Sequence, residues 1–256
     1  MPTWNLRRFC RPETIRQIKP QNLLQFLEPH QSFFHSRGFP LPSSNTLDQF
    51  NFASLIEIFL SPDSETPHEL IESLYLVDEL STTEGMHSLL NEIEDRKVKC
   101  SVGFDDSPSD VAVRLWLLDP TLLRRKHAET QVSKVRSFST FQSNSKEKLL
   151  FKPPTQKQLA ALTEELDSTF EKKKWGRGSR VILGSAGEES WFVVSHGESV
   201  QRAESLERQQ PTVTTFRPFK HDYVIYHYSA SKISILIDSV FVWIVPRWHF
   251  VLGGTG

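Results

Sequence analysis

Apolar residues in the first 119 positions fall at helical spacing, whereas those between Arg180 and Ile237 gather in short runs of strand length. Leu70, Leu74 and Val77 recur at i, i+4 and i+7, and Ile71 and Leu80 widen the stripe. Thr66-Pro67-His68-Glu69 precedes them, with Thr at an N-cap, Pro at the first helical position and Glu at the third, which reads as a capping box. Ser81 to Glu84 repeats the signature before Met86, Leu89, Leu90 and Ile93. Ser107-Pro108-Ser109-Asp110 repeats it before Val111, Leu115 and Leu118, and Asp119-Pro120 ends that helix. Leu55, Ile56 and Phe59 make a further face stopped near Ser61-Pro62, and Leu23, Leu24, Phe26 and Leu27 a shorter one between Pro20 and Pro29. The pattern predicts a small α-helical bundle over residues 1–119.

Between Pro120 and Pro154 the periodicity weakens. Arg124 to His127 extend a short helix, and Ser137 to Ser145 is rich in Ser and Thr around Phe138 and Phe141. Residues 120–154 read as a basic, Ser-rich connector. Thr155 with Gln158 is another capping box, after which Leu159, Leu162, Leu166 and Phe170 line one helical face. Lys172 to Lys174 close this helix, where cations complement the negative end of its dipole. Gly176 and Gly178 release the chain into strands at Arg180–Leu183, Trp191–Ser195, Thr212–Phe216, Asp222–His227 and Lys232–Ile237. Tyr223, Ile225 and His227 alternate against Val224, Tyr226 and Tyr228, and Tyr228 to Lys232 has hairpin length. The expected fold is α+β: the helical bundle, then a helix packed on a mainly antiparallel sheet over residues 155–239. Residues 240–256, VFVWIVPRWHFVLGGTG, carry no strand-turn logic and are expected to be a non-native tail after a truncated C-terminus.

Composition narrows the class. With 256 residues, 38% hydrophobic and 24% charged, the chain can bury a sizeable core and reads as a soluble globular protein. Cys10 and Cys100 lack a CxxC or Cys/His partner, which suits a reducing, cytoplasmic compartment and argues against zinc. Arg7 and Arg8 are not followed by an apolar stretch of signal-peptide type, and Val240 to Val245 is too short to span a bilayer. Charge is uneven: residues 1–100 hold nine Lys and Arg against fourteen Asp and Glu, and residues 101–180 hold fifteen against ten. The basic middle reads as a surface complementing an acidic neighbouring face, or else as a patch for an anionic partner. Paired acids at Asp105-Asp106 and Glu188-Glu189 sit in turn-like contexts and read as solvated loops.

Two constellations carry candidate chemistry. Val193-Val194-Ser195-His196-Gly197-Glu198-Ser199 resembles the strand-end motif of the histidine phosphatase and phosphoglycerate mutase family, in which Arg-His-Gly-Glu sets a nucleophilic imidazole at the phosphate. Here Ser195 replaces the arginine that clamps phosphate, and only 60 residues follow His196. The resemblance is therefore local, and His196 is expected at a partly exposed strand end. In Phe216-Arg217-Pro218-Phe219-Lys220-His221-Asp222, Arg217 and Asp222 flank a Pro turn and are expected to close on each other or on Arg180 and Glu198.

A wider resemblance rests on Ser109-Asp110-Val111-Ala112-Val113-Arg114, Gly176-Arg177-Gly178, Trp191 to Gly197 and Phe216 to Tyr226. This set is similar to an uncharacterised family of bacterial proteins, and the resemblance implies a bacterial cytoplasmic origin without an activity. The leading functional expectation is a non-catalytic interaction module. Its helical half docks a protein partner, and its sheet half reads an anion or peptide through Arg180, His196, Arg217 and Asp222. The alternatives are a nucleic-acid-associated protein of a defence or DNA-processing operon and a hydrolase or phosphatase using His196. No cofactor, metal or membrane association is expected, and the oligomeric state is left open.

Overall fold

Proline and small hydroxyl or amide residues mark where most of the helices begin; α3, which follows His30 without a side-chain cap, is the exception among the described helices. The helices are α1 (Pro12–Arg16), α2 (Pro20–Leu27), α3 (Gln31–Ser36), α4 (Phe52–Leu60), α5 (His68–Leu80), α6 (Thr83–Arg96), α7 (Pro108–Leu118), α8 (Pro120–Lys134) and α9 (Gln156–Lys172). Pro occupies the first position of α1, α2, α7 and α8, where its missing N–H removes no intrahelical bond. Ser107 accepts from Asp110 N at the start of α7, and Thr155 with Gln158 forms the expected capping box of α9. Two expected caps differ. Pro67, not Thr66, is the N-cap residue of α5, because the Thr66 hydroxyl accepts from Asp63 N at 2.9 Å instead. Thr82, not Ser81, caps α6, since the Ser81 hydroxyl donates back to the Val77 carbonyl.

This computed structural model describes residues 6–43, 50–100, 102–103, 105–134, 138–142, 153–186, 188–207, 210–228 and 232–236. The expected tail at 240–256 and much of the Ser-rich stretch lie outside them. The chain divides into two compact units, Met1–His127 and Ala128–Gly256. No helix is long and apolar enough to cross a membrane among the described residues.

The first unit is all helical among its described residues. Its core gathers Phe9, Ile15, Leu27, Phe34, Leu55, Leu74, Val111 and Leu123. Three carboxylates fasten the irregular segments of the unit. Asp78 on α5 is buried and accepts from the backbone N–H groups of Arg7, Arg8 and Phe9 at 2.7–2.9 Å. Asp110 accepts from Lys19 N at 2.8 Å and Asn22 Nδ2 at 2.7 Å. Asp106 binds Lys19 Nζ at 2.6 Å, Arg114 Nη1 at 2.6 Å and Gly103 N at 2.8 Å. Its side chain is only 5% exposed, so the expectation of a solvated Asp105-Asp106 loop fails at Asp106.

The second unit carries the sheet. Its strands are β1 (Ser139–Gln142), β2 (Arg180–Ala186), β3 (Glu189–Gly197), β4 (Gln201–Glu207), β5 (Gln210–Phe216), β6 (Phe219–His227) and β7 (Lys232–Leu236). Five of them form an antiparallel sheet in the order β1-β7-β6-β3-β2, while β4 and β5 pair as a separate ribbon. The α+β class is as expected. The sequence pattern had not separated α1, α3, β1 and β4. Residues 120–154, expected as a connector, hold α8 and the edge strand β1. Even-numbered β3 residues such as Phe192 and Val194 pack with Leu162, Leu166 and Phe170 of α9. Odd-numbered ones such as Trp191 and Val193 pack with Ala128 and Val132 of α8.

Hydrogen bonds from Lys19, Gly103 and Arg114 hold the Asp106 carboxyl down at about 2, against 3.8 for a free side chain. A depressed folded value adds stability above the free value, and that stability is lost as pH falls from about 4 toward 2. Asp106→Asn is therefore expected to cost about 1–3 kcal/mol near neutral pH. It should also flatten the acid limb, read by hydrogen exchange of α7 amides. Parallel acid limbs in wild type and variant would contradict this assignment.

Candidate functional site

The site around His196 is assembled by the end of α9. Lys174 takes a left-handed conformation, φ 62°, just past the helix. Trp175 N then donates to the Phe170 carbonyl and Lys174 N to the Glu171 carbonyl, the two bonds of a Schellman turn. The turn folds the Trp175 ring back over Phe170, with centroids 5.6 Å apart and planes 23° apart. The His196 ring completes the stack, 4.5 Å from Phe170 and 5.4 Å from Trp175. Gly197 makes room for this approach: a Cβ there would come within 2.5 Å of the Trp175 carbonyl oxygen.

His196 is 1% exposed, contrary to the partly exposed strand end expected from sequence. Its Nδ1 lies 2.7 Å from the Gly197 carbonyl oxygen and its Nε2 lies 3.1 Å from Asp222 Oδ2. A carbonyl and a carboxylate both accept, so satisfying both contacts needs a proton on each ring nitrogen. Burial alone would lower the basicity of the ring. The Asp222 and Gly197 hydrogen bonds, with the Asp222 and Glu198 charges, outweigh it and raise the His196 pKa above 6.5. The result is an imidazolium–carboxylate pair under two aromatic rings, which favour a cation on their faces. Asp222 is fully buried, and its Oδ1 has no hydrogen-bond partner among the described residues.

The four expected site residues do not converge. Asp222 pairs with His196 and does not close on Arg217. The Arg217 guanidinium donates instead to the Lys174 carbonyl and, at 3.3 Å, to the Glu198 carbonyl. It thus links the turn after α9 to the turn after β3, and Gly176 leaves space for it. Arg180 is the register partner of Ser195, so it belongs to the sheet face opposite His196. On that face the Ser195 hydroxyl lies 2.8 Å from His221 Nδ1. The Phe170–Trp175 stack had no sequence signal beyond a helical stripe and a lysine run.

Elsewhere, a cleft of about 820 Å³ in the helical unit is lined by Phe33, Arg37, Phe39, Phe50, Ser54 and Glu57. Arg37 there is already bound to Asp63 at 2.7 Å, and residues 44–49, which follow Ser43 in sequence, lie outside the described residues. Among the described residues, no group of three His, Cys, Asp or Glu side chains could hold a metal ion.

Comparison with protein-family models, with curated proteins and with solved structures found no match to this chain.

The raised His196 value fixes the sign of a pH effect. Stability from the pair is complete below about pH 6.5 and is lost as pH rises through the folded value. We expect the stability difference between wild type and His196→Phe to shrink from about pH 6 to pH 9, read by exchange of β3 and β6 amides. Asp222→Ala should destabilise the sheet unit by about 3–5 kcal/mol at low pH, because it strands a buried cation. His196→Phe combined with Asp222→Leu should recover most of that loss. A difference that grows with pH would overturn the imidazolium assignment.

Proposed function

We propose that the sheet unit is an interaction module that docks an extended segment of a protein partner along β2. The observation that supports this reading is the position of β2 at the end of the sheet. It is seven residues long, pairs with β3 on one side, and has no strand on its outer edge among the described residues. Such an edge offers a row of backbone donors and acceptors to an incoming strand. Val181 and Leu183 pack toward α9 and Ile182 toward the opposite face, so an added strand would extend both apolar surfaces. Arg180 is exposed at the start of the edge and supplies the one charge of the strand.

The other expectations receive less support. Arg124 pairs with Glu72, and both Arg125 and Lys126 pair with Glu92, so these middle cations already face carboxylates. That favours a protein partner over nucleic acid. A phosphatase role for His196 has against it the ring's burial and the engagement of both its nitrogens. The resemblance to uncharacterised bacterial proteins adds no activity to this reading.

Selection of a random-peptide display library on the intact chain tests the proposal. Enriched peptides are expected to alternate apolar residues and, once bound, to protect the amides of residues 180–186 from exchange. Failure to enrich any binder, or protection of another element in place of β2, would refute docking at this edge.

A further inference from the structure

The sheet face opposite His196 carries a second polar set, at the end where β3 begins and β6 finishes. Glu189 Oε1 lies 2.7 Å from His227 Nδ1, and His227 Nε2 lies 2.9 Å from Ser234 Oγ. Thr140 Oγ1 lies 3.2 Å from the same hydroxyl. The pairings explain the arrangement: Glu189 is the register partner of His227, Ile225 of Ser234, and Ser234 of Thr140. Four antiparallel strands therefore place the four side chains on one face, and His227 reaches Ser234 along the diagonal. Glu189 was expected in a solvated loop, but it opens β3 and orients a histidine.

One set of directions satisfies all three contacts, with neutral His227 protonated on Nδ1: the carboxylate accepts from Nδ1–H, Nε2 accepts from the Ser234 hydroxyl, and Thr140 donates to Ser234 Oγ. A hydroxyl bonded to an imidazole that a carboxylate orients on its other nitrogen is the general form of an activated nucleophile. We propose that Ser234, His227 and Glu189 are a nucleophilic triad that takes the acyl group of a small carboxylic ester. The proposal goes beyond peptide docking at β2 and does not depend on it.

The chemistry closes. Ser234 Oγ bonds to the acyl carbon while its proton passes to His227 Nε2. The tetrahedral oxyanion collapses, the ester C–O bond breaks, and the leaving alkoxide takes that proton from His227 as alcohol. Water then attacks the acyl-serine, giving its proton to His227, which returns it to Ser234 as the carboxylic acid leaves. Lys232 is the register partner of His227 on the same face, and the proposal assigns its ammonium to the oxyanion. The side chains of His227 and Glu189 are 26% and 46% exposed, so the base end is open to solvent. Ser234 is only 6% exposed, which limits the substrate to a small acyl group. Glu189 acts through His227 and is a positioning residue.

The test uses the intact chain with a fluorophosphonate probe and with p-nitrophenyl acetate. Peptide mass mapping should find one phosphonyl adduct, on Ser234. Ester hydrolysis should fall by about 10²–10⁴-fold in Ser234→Ala and in His227→Gln. Glu189→Gln should lower kcat with KM unchanged, a split that a loss of packing would not give. Absence of an adduct on Ser234 in the wild-type chain would overturn the proposal without reference to any variant. Hydrolysis retained in Ser234→Ala would overturn it as well.

Discussion

The two-residue alternation of β3 is the constraint on which the chemistry of the sheet unit depends. Neighbouring residues of a strand point to opposite faces, so Ser195 and His196 cannot serve one site. His196 and Asp222 go to the α9 face, where Phe170 and Trp175 receive them. Arg180, Ser195 and His221 go to the other face, together with Glu189, His227 and Ser234 farther along. A constellation drawn from adjacent letters of the sequence is thereby split in two. Residues 38 and 7 positions apart are brought into one hydrogen-bonded row.

Buried charge does similar work in both units. Asp78, Asp106 and Asp110 accept from backbone, amide and cationic donors of residues 7–22 and 103–114, and so tie the turns before α1, α2 and α7 to the helices beside them. Each buried carboxylate would be costly alone and is tolerable because its donors are numerous. In the sheet unit the same logic operates with one partner charge. His196 supplies the donor that the buried Asp222 Oδ2 accepts from, away from water.

Local patterns were legible in the sequence, and long-range ones were not. Thr155 with Gln158 and Ser107 with Asp110 announced their helices because a cap needs only residues three apart. Thr66 misled, since a hydroxyl can bond either the helix it precedes or the turn before it. The alternation from Tyr223 to Tyr228 gave β6, while the polar sequence of β4 carried no apolar period to detect. Of the site, a short motif pointed to His196 and a Pro turn to Asp222, with nothing in the sequence to link the two. Their pairing depends on the register of β3 against β6, and the ring stack on a Schellman turn formed by Lys174, which has no glycine to mark it.

The claim that His196 is a held cation, and not a nucleophile, meets its most direct test in the protonation state of its ring. Long-range proton–nitrogen correlation of the labelled chain reports each imidazole nitrogen separately. At pH 6.5, where a free imidazole is half charged, His196 should be predominantly imidazolium with protons on both Nδ1 and Nε2. A predominantly neutral ring with one bare nitrogen at that pH would contradict the account.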